Sequence, residues 1–276
     1  MTAQTQPRAR HRRRVTRRRA LTGGACAFGL AGAALLTHGV LAPAGAAAGW
    51  PQPKETVPVA KTIPVKGTYD GKLKRFDGSG ALGDGGQDED QSPLFVLEDG
   101  AVLKNVVIGS RAADGVHCKG SCTLQNVWWE DVGEDAASFK GTSASAVYKV
   151  YGGGARKASD KVFQFNGAGK LVIAGFQVSD SGKLVRSCGN CRKQYKRQII
   201  LNDVDVTAPL KQIVGVNENY GDTAALRNIR VHSDARRRLQ PCVRYEGNDR
   251  GKEPRVVSAK VDGVHCDHRP GDLTYD

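Results

Sequence analysis

Leu103-Lys104-Asn105-Val106-Val107-Ile108 returns a short interval later as Leu124-Gln125-Asn126-Val127-Trp128-Trp129. Each copy holds an aliphatic residue, a spacer, a polar residue and then a β-branched or aromatic run. Looser copies read Val147-Tyr148-Lys149-Val150-Tyr151, Ile173-Ala174-Gly175-Phe176-Gln177-Val178, Leu201-Asn202-Asp203-Val204-Asp205-Val206 and Leu226-Arg227-Asn228-Ile229-Arg230-Val231. A last, weak copy ends at Val261. The aligned apolar position falls at 106, 127, 150, 176, 204, 229 and 261, in steps of 21, 23, 26, 28, 25 and 32. Short β-runs that recur every twenty-odd residues without helical periodicity mark a solenoid.

Most copies carry a second apolar run: Gly115-Val116-His117-Cys118, Ala136-Ala137-Ser138-Phe139, Val162-Phe163-Gln164-Phe165, Leu184-Val185 and Gln212-Ile213-Val214-Gly215-Val216. Two or three strands per turn, stacked turn on turn, make an all-β, right-handed parallel β-helix. An antiparallel sandwich would want short hairpin turns, whereas these links hold clusters of polar residues. Asn105 and Asn126 are either a polar ladder at a turn corner or ordinary turn residues.

Outside the repeat, residues 1–19 contain eight arginines and no acid, followed by an uncharged Ala/Gly/Leu-rich run from Ala20 to Pro53. A-x-A exits occur at Ala44-Gly45-Ala46 and Ala46-Ala47-Ala48. A basic head, an apolar stretch and a small-residue exit describe an export signal, and Thr16-Arg17-Arg18-Arg19-Ala20-Leu21 fits the twin-arginine type. Gly content, Pro43 and the cleavable exit favour removal over a membrane anchor, so no stable membrane association is expected afterwards. Residues 1–48 are thus expected to be a cleaved leader, 49–94 an N-terminal cover and loop, and 95–276 the β-helix. The formal charge of +13 comes from 41 Lys and Arg against 28 Asp and Glu. Without the leader's eight arginines, 33 basic residues remain and the charge drops to +5. The case for a nucleic-acid partner, which rests on diffuse basicity, goes with them.

Six of the seven cysteines lie beyond the leader. An even number in an exported chain suggests disulfides. Cys118/Cys122 and Cys188/Cys191 are close enough for small loops, which leaves Cys242/Cys266. Zinc at the C-x-x-C of Cys188 is the alternative, and spacing alone does not define the connectivity.

Stacking also places polar residues. Asp114 lies eight residues after Val106 and Asp135 eight after Val127, so the two fall about one strand spacing, ~4.8 Å, apart, with Glu134 beside them. Such a pair can reach one calcium ion; without a cation, like charges oppose one another's ionisation. Lys140, Lys161 and Lys183 recur at steps of 21 and 22 and are expected to stack along one face, with Arg186 three residues on. Solvated acidic turns and a solvated basic face are the plainer alternatives. His117, His232, His265 and His268 are read as structural or surface residues.

Three blocks are similar to the family 3 polysaccharide lyases, the compact pectate lyases: Trp128-Trp129-Glu130-Asp131-Val132-Gly133-Glu134-Asp135-Ala136, Lys157-Ala158-Ser159-Asp160-Lys161-Val162-Phe163-Gln164 and Gly182-Lys183-Leu184-Val185-Arg186-Ser187-Cys188-Gly189-Asn190-Cys191. Gly83-Asp84-Gly85-Gly86-Gln87-Asp88-Glu89-Asp90-Gln91 also resembles the family, and the likeness runs from about Lys61 to Cys266. The resemblance implies a parallel β-helix, Ca2+ dependence and β-elimination of de-esterified pectin (polygalacturonate). It implies calcium ligands at Asp114, Glu134 and Asp135, and basic catalytic residues acting on substrate at Lys161, Lys183 and Arg186. Glu89, Lys140 and Asp160 are assigned to substrate binding.

On this reading Lys161 is the proton acceptor, made neutral by nearby Lys183, Arg186 and the metal; Arg186 clamps a carboxylate; Lys183 stabilises developing charge. The protein is expected to be a secreted monomer. Rival readings are a polygalacturonase-type hydrolase, working through a carboxylate pair, and a non-catalytic calcium-dependent pectin-binding protein.

Overall fold

A β-branched or leucine side chain at one position of each turn can be buried only if the turns stack. The computed structural model describes residues 49–82, 86 and 91–276, and shows that stacking. The expected leader and Glu89 lie outside the described residues. The strands are β1 (Thr56–Val59), β2 (Ile63–Val65), β3 (Thr68–Gly78), β4 (Phe95–Leu97), β5 (Ala101–Ile108), β6 (Val116–Cys118), β7 (Cys122–Trp129), β8 (Ala137–Phe139) and β9 (Val147–Arg156). They continue as β10 (Lys161–Phe165), β11 (Gly169–Ser187), β12 (Arg197–Asn217), β13 (Thr223–His232), β14 (Gln240–Glu246), β15 (Arg255–Ser258), β16 (Cys266–Asp267) and β17 (Leu273–Tyr275). Each turn pairs in parallel with the turn before and after it; only β15, folded back on β14, is antiparallel among the named strands. This is the right-handed parallel β-helix expected from the repeat.

The register shows what holds it together. Leu103, Leu124, Val150, Ile173, Leu201 and Leu226 form one continuous inward column across β5, β7, β9, β11, β12 and β13. All six are buried, and each such side chain contributes about 1.5–3 kcal/mol relative to exposure. A second column runs Val106, Val127, Gly153 beneath Phe176, then Val204, Ile229 and Leu273. Two expected members of that column are corrected. Val150 belongs to the leucine column, and Val261 is exposed outside any strand, its place taken by Leu273. Gly153 was hidden because its column neighbours are large, whereas here the backbone itself approaches: a Cβ would lie 2.8 Å from the Val127 amide nitrogen.

Between the columns the chain turns a corner through the left-handed region. Asn105 (φ 52°), Asn126 (55°), Gly152 (65°), Gly175 (63°), Asp203 (57°) and Asn228 (52°) occupy it in successive turns. Only Gly, Asn and Asp adopt this conformation cheaply, which explains the polar residue in the repeat. The expected ladder is present: Asn126 Nδ2 donates to Asn105 Oδ1 at 2.8 Å, and Asn105 Nδ2 to Asp70 Oδ1 at 3.0 Å.

The N-terminal boundary also differs from expectation. The segment 49–94 is more than a cover, because β1 and β3 pair with one another and β3 with β5, making it a full turn of the helix. The run Thr68-Tyr69-Asp70-Gly71-Lys72-Leu73-Lys74 shows little apolar pattern because a terminal turn buries less of itself than an internal one. Disulfides join Cys118–Cys122, Cys188–Cys191 and Cys242–Cys266, the pairs that spacing had made candidates.

Candidate active site

The site is built on the short strands of one sheet. Val116 pairs with Ala137, Ala137 with Phe163, Phe163 with Val185 and Val185 with Val214. Two residues before these positions stand Asp114, Asp135, Lys161, Lys183 and Gln212, and Gln212 pairs onward with Gln240. One column therefore runs acid, acid, lysine, lysine, amide, amide across six turns.

The expected neighbours Asp114, Glu134 and Asp135 do converge: all three are buried, and one oxygen from each lies within 4.8 Å of the others. Oδ1 of Asp114 is buried without a hydrogen-bond partner, and Oδ1 of Asp135, buried likewise, has only the Lys161 ammonium at 3.3 Å. Burial pushes the Asp135 carboxyl well above the usual carboxylate range; Lys161 opposes this, and Glu134 and Asp114 add to it. A buried cluster of hard oxygen donors, one of them without a partner, suits a hard cation such as calcium.

Lys161 is where the structure reverses an expectation. Its neighbours are three carboxylates rather than other cations: Glu134 Oε1 at 3.0 Å, Asp160 Oδ2 at 3.2 Å and Asp135 Oδ1 at 3.3 Å. Burial disfavours the ammonium, but Asp135 and Glu134 outweigh it and raise the pKa. Lys161 is therefore held charged here, because its register partner is Asp135 rather than Lys140. Burial of Asp160 would raise its carboxyl, yet Lys183, which it contacts closely, and Lys161 hold it below the usual range.

Lys140 does not join the lysine column. Phe139 pairs with Phe165, so Lys140 stands in a different row. Its ammonium reaches the His117 ring nitrogens at 3.0 and 3.2 Å and approaches Asp114 Oδ2 at 4.0 Å. His117, expected to be remote from the cluster, makes a short contact with Asp114 through Nε2. Asp114 lies in the turn before β6, with left-handed Ala113 (φ 49°) and Gly115 (φ 53°) on either side, so strand alternation gave no signal for this contact. His232, His265 and His268 lie in other contacts, His232 between Asp205 and Asp276.

Arg186 stands beside this column in a different electrostatic setting. Its Nη1 donates to the Ser187 carbonyl, to Asn217 Oδ1 at 2.9 Å and to the Gly215 carbonyl at 3.4 Å. No carboxylate pairs with it among the described residues. The guanidinium carbon lies 3.9 Å from the centre of the Tyr245 ring, and Nη2 is buried without a partner. Burial lowers its pKa to about 10. Lys161, Lys183, Arg186 and Tyr245 all line one small cavity of about 210 Å³. Tyr245, Asn217 and Gln212 carried no signal in the sequence, being 59, 31 and 26 residues from Arg186.

A parallel β-helix with a buried acidic cluster and an adjoining row of cations suits chemistry on an anionic polymer. The chain belongs to the pectate lyase family, whose model matches residues 47–252. It is 48% identical over 211 residues to the probable pectate lyase E of Aspergillus clavatus, covering 76% of this chain and 80% of that protein. Pectate lyase E of Emericella nidulans is 46% identical over 212 residues, with the same coverage. Among solved structures, the catalytic domain of pectate lyase PelI from Erwinia chrysanthemi superposes with a TM-score of 0.68 at 29% identity, covering 81% of this chain and 98% of that one. The same enzyme in complex with tetragalacturonic acid gives 0.69 at 29% identity, covering 79% of this chain and 70% of that one.

Proposed function

We propose that the protein is a secreted pectate lyase that cleaves polygalacturonate by calcium-dependent β-elimination. The observation that carries this reading is the buried oxygen cluster of Asp114, Glu134 and Asp135, of which Asp114 and Asp135 stand in one column with Lys161 and Lys183, next to an Arg186 with no carboxylate partner among the described residues. Residues 1–48 support export, and disulfides suit an extracellular setting.

In β-elimination the carbon next to the uronate carboxylate loses a proton to a base. The C–H electron pair becomes a carbon–carbon double bond, and the glycosidic oxygen β to the carboxylate leaves with the electrons of its own bond. Asp114, Glu134 and Asp135 would hold the cation, whose charge, when bound, makes the proton next to the carboxylate more acidic. The proton acceptor is better assigned to Arg186 than to Lys161. Among the described residues Arg186 has no carboxylate partner and a pKa lowered to about 10, whereas Lys161 is held as a cation by three acids. Lys161 and Lys183 then serve as fixed positive charges for the substrate carboxylate and the negative charge that develops on it. Asp160, which ties these lysines together, and Lys140, beside Asp114, are assigned to orienting the polymer. Glu89 keeps that assignment on sequence similarity.

The test is polygalacturonate with calcium, then with chelator, followed by ultraviolet absorbance of the unsaturated product. A lyase gives calcium-dependent absorbance. New reducing ends without absorbance would mean a hydrolase, and binding without either would mean a pectin-binding protein; each would overturn the reading.

A further inference from the structure

Arg186 must be held in place without being neutralised, and the structure shows what can do that. A carboxylate would fix a guanidinium strongly but would also stabilise its charge. Here the guanidinium is bound by the carbonyls of Ser187 and Gly215, by the Asn217 amide oxygen and by the face of Tyr245. The ring is fixed in turn: Tyr245 Oη donates to Gln212 Oε1 at 2.7 Å, and Gln212 pairs in register with Lys183 and Gln240. Gly215 leaves the space, since a Cβ there would lie 2.7 Å from Arg186 Cδ and 3.0 Å from Tyr245 Cε2 and would run into the Gln212 amide nitrogen.

We propose that Tyr245 is the positioning residue for Arg186: its ring sets the plane of the guanidinium, and Gln212, through the tyrosine hydroxyl, sets the plane of the ring. This rests on the reading that Arg186 acts on the uronate. A flat π-face suits the role because it holds a planar cation in one orientation while contributing no full negative charge. A displacement of ~1 Å at a reacting group can cost about a hundredfold in rate, so the effect of losing the ring belongs in kcat rather than KM.

The experiment compares kcat and KM on polygalacturonate for Tyr245→Phe, Tyr245→Leu and Gly215→Ala, with Arg186→Ala as reference and thermal melting as the folding control. Tyr245→Phe keeps the ring but loses its hydroxyl bond to Gln212, and is expected to lower kcat by about tenfold, between the wild type and Tyr245→Leu. Tyr245→Leu is expected to lose kcat by about a hundredfold with KM little changed. Gly215→Ala, which leaves Tyr245 in place but crowds it and Arg186, should show the same kcat-selective loss even if the leucine variant fails to fold. The proposal is overturned if a folded Tyr245→Leu keeps wild-type kcat, if Tyr245→Phe falls as far as Tyr245→Leu, or if the losses sit in KM alone. A wild-type protein that releases no unsaturated product would instead sink the lyase reading, and an active Arg186→Ala would sink the role of Arg186.

Discussion

Asn126 offers a measurement that separates backbone strain from side-chain bonding in the corner on which the acidic cluster depends. It sits at φ 55° in the middle of β7, eight residues before Glu134. Its Nδ2 donates to Asn105 Oδ1 at 2.8 Å, and its Oδ1 accepts from Trp128 Nε1 at 2.7 Å. Asn126→Ala removes both bonds, at about 1 kcal/mol each for a half-buried site. It also places an ordinary L-residue in the left-handed region, at roughly 1–2 kcal/mol. The total is about 3–4 kcal/mol. Asn126→Gly removes the same bonds but fits the conformation, so it should cost about 2 kcal/mol. Denaturant titration at unchanged m-value reads the difference directly, and in a chain of this size each kcal/mol corresponds to about 2–4 °C in Tm. Activity per folded molecule is expected to survive in both variants. If glycine proved as damaging as alanine, the strain argument would be wrong. If both were neutral, the asparagine ladder would contribute nothing.

Three other outcomes are expected. Calcium should raise the Tm of the wild-type protein, and Asp114→Asn should remove most of that rise, read by thermal melting with and without chelator; equal protection in both would place the ion elsewhere. Activity should climb about tenfold per pH unit between pH 7 and 9 and level off near pH 10, because the acceptor must be neutral and Arg186 deprotonates through about 10; an optimum below pH 7 would contradict Arg186 as base. His232, paired with Asp205 and then Asp276, has a raised pKa. Its stabilising contribution is therefore complete below the unfolded histidine value of about 6.5 and is lost as pH rises through the higher folded value. His232→Gln should thus lower Tm at pH 5.5 and leave it nearly unchanged at pH 9.

The sequence was legible wherever a residue answers to its own turn of the helix. Leu103, Leu124, Leu201 and Leu226 must be apolar to fill the interior, and Asn105, Asn126 and Asn228 must tolerate the left-handed corner, so the stacked fold follows from local chemistry repeated at intervals. Asp114 and Asp135 were placed together correctly because the turns that carry them have equal length, 21 residues apart. Tertiary structure alone decided everything that depends on unequal loops. Lys140 and Lys161 are also 21 apart, but the turn between β8 and β10 is longer, so Lys161 lands on Asp135 and becomes an ion-paired cation. The same cause hid Leu273 and the meeting of Arg186 with Tyr245. Strand period is a property of neighbouring residues, whereas register is the sum of every loop length along the chain, and charge state depends on register.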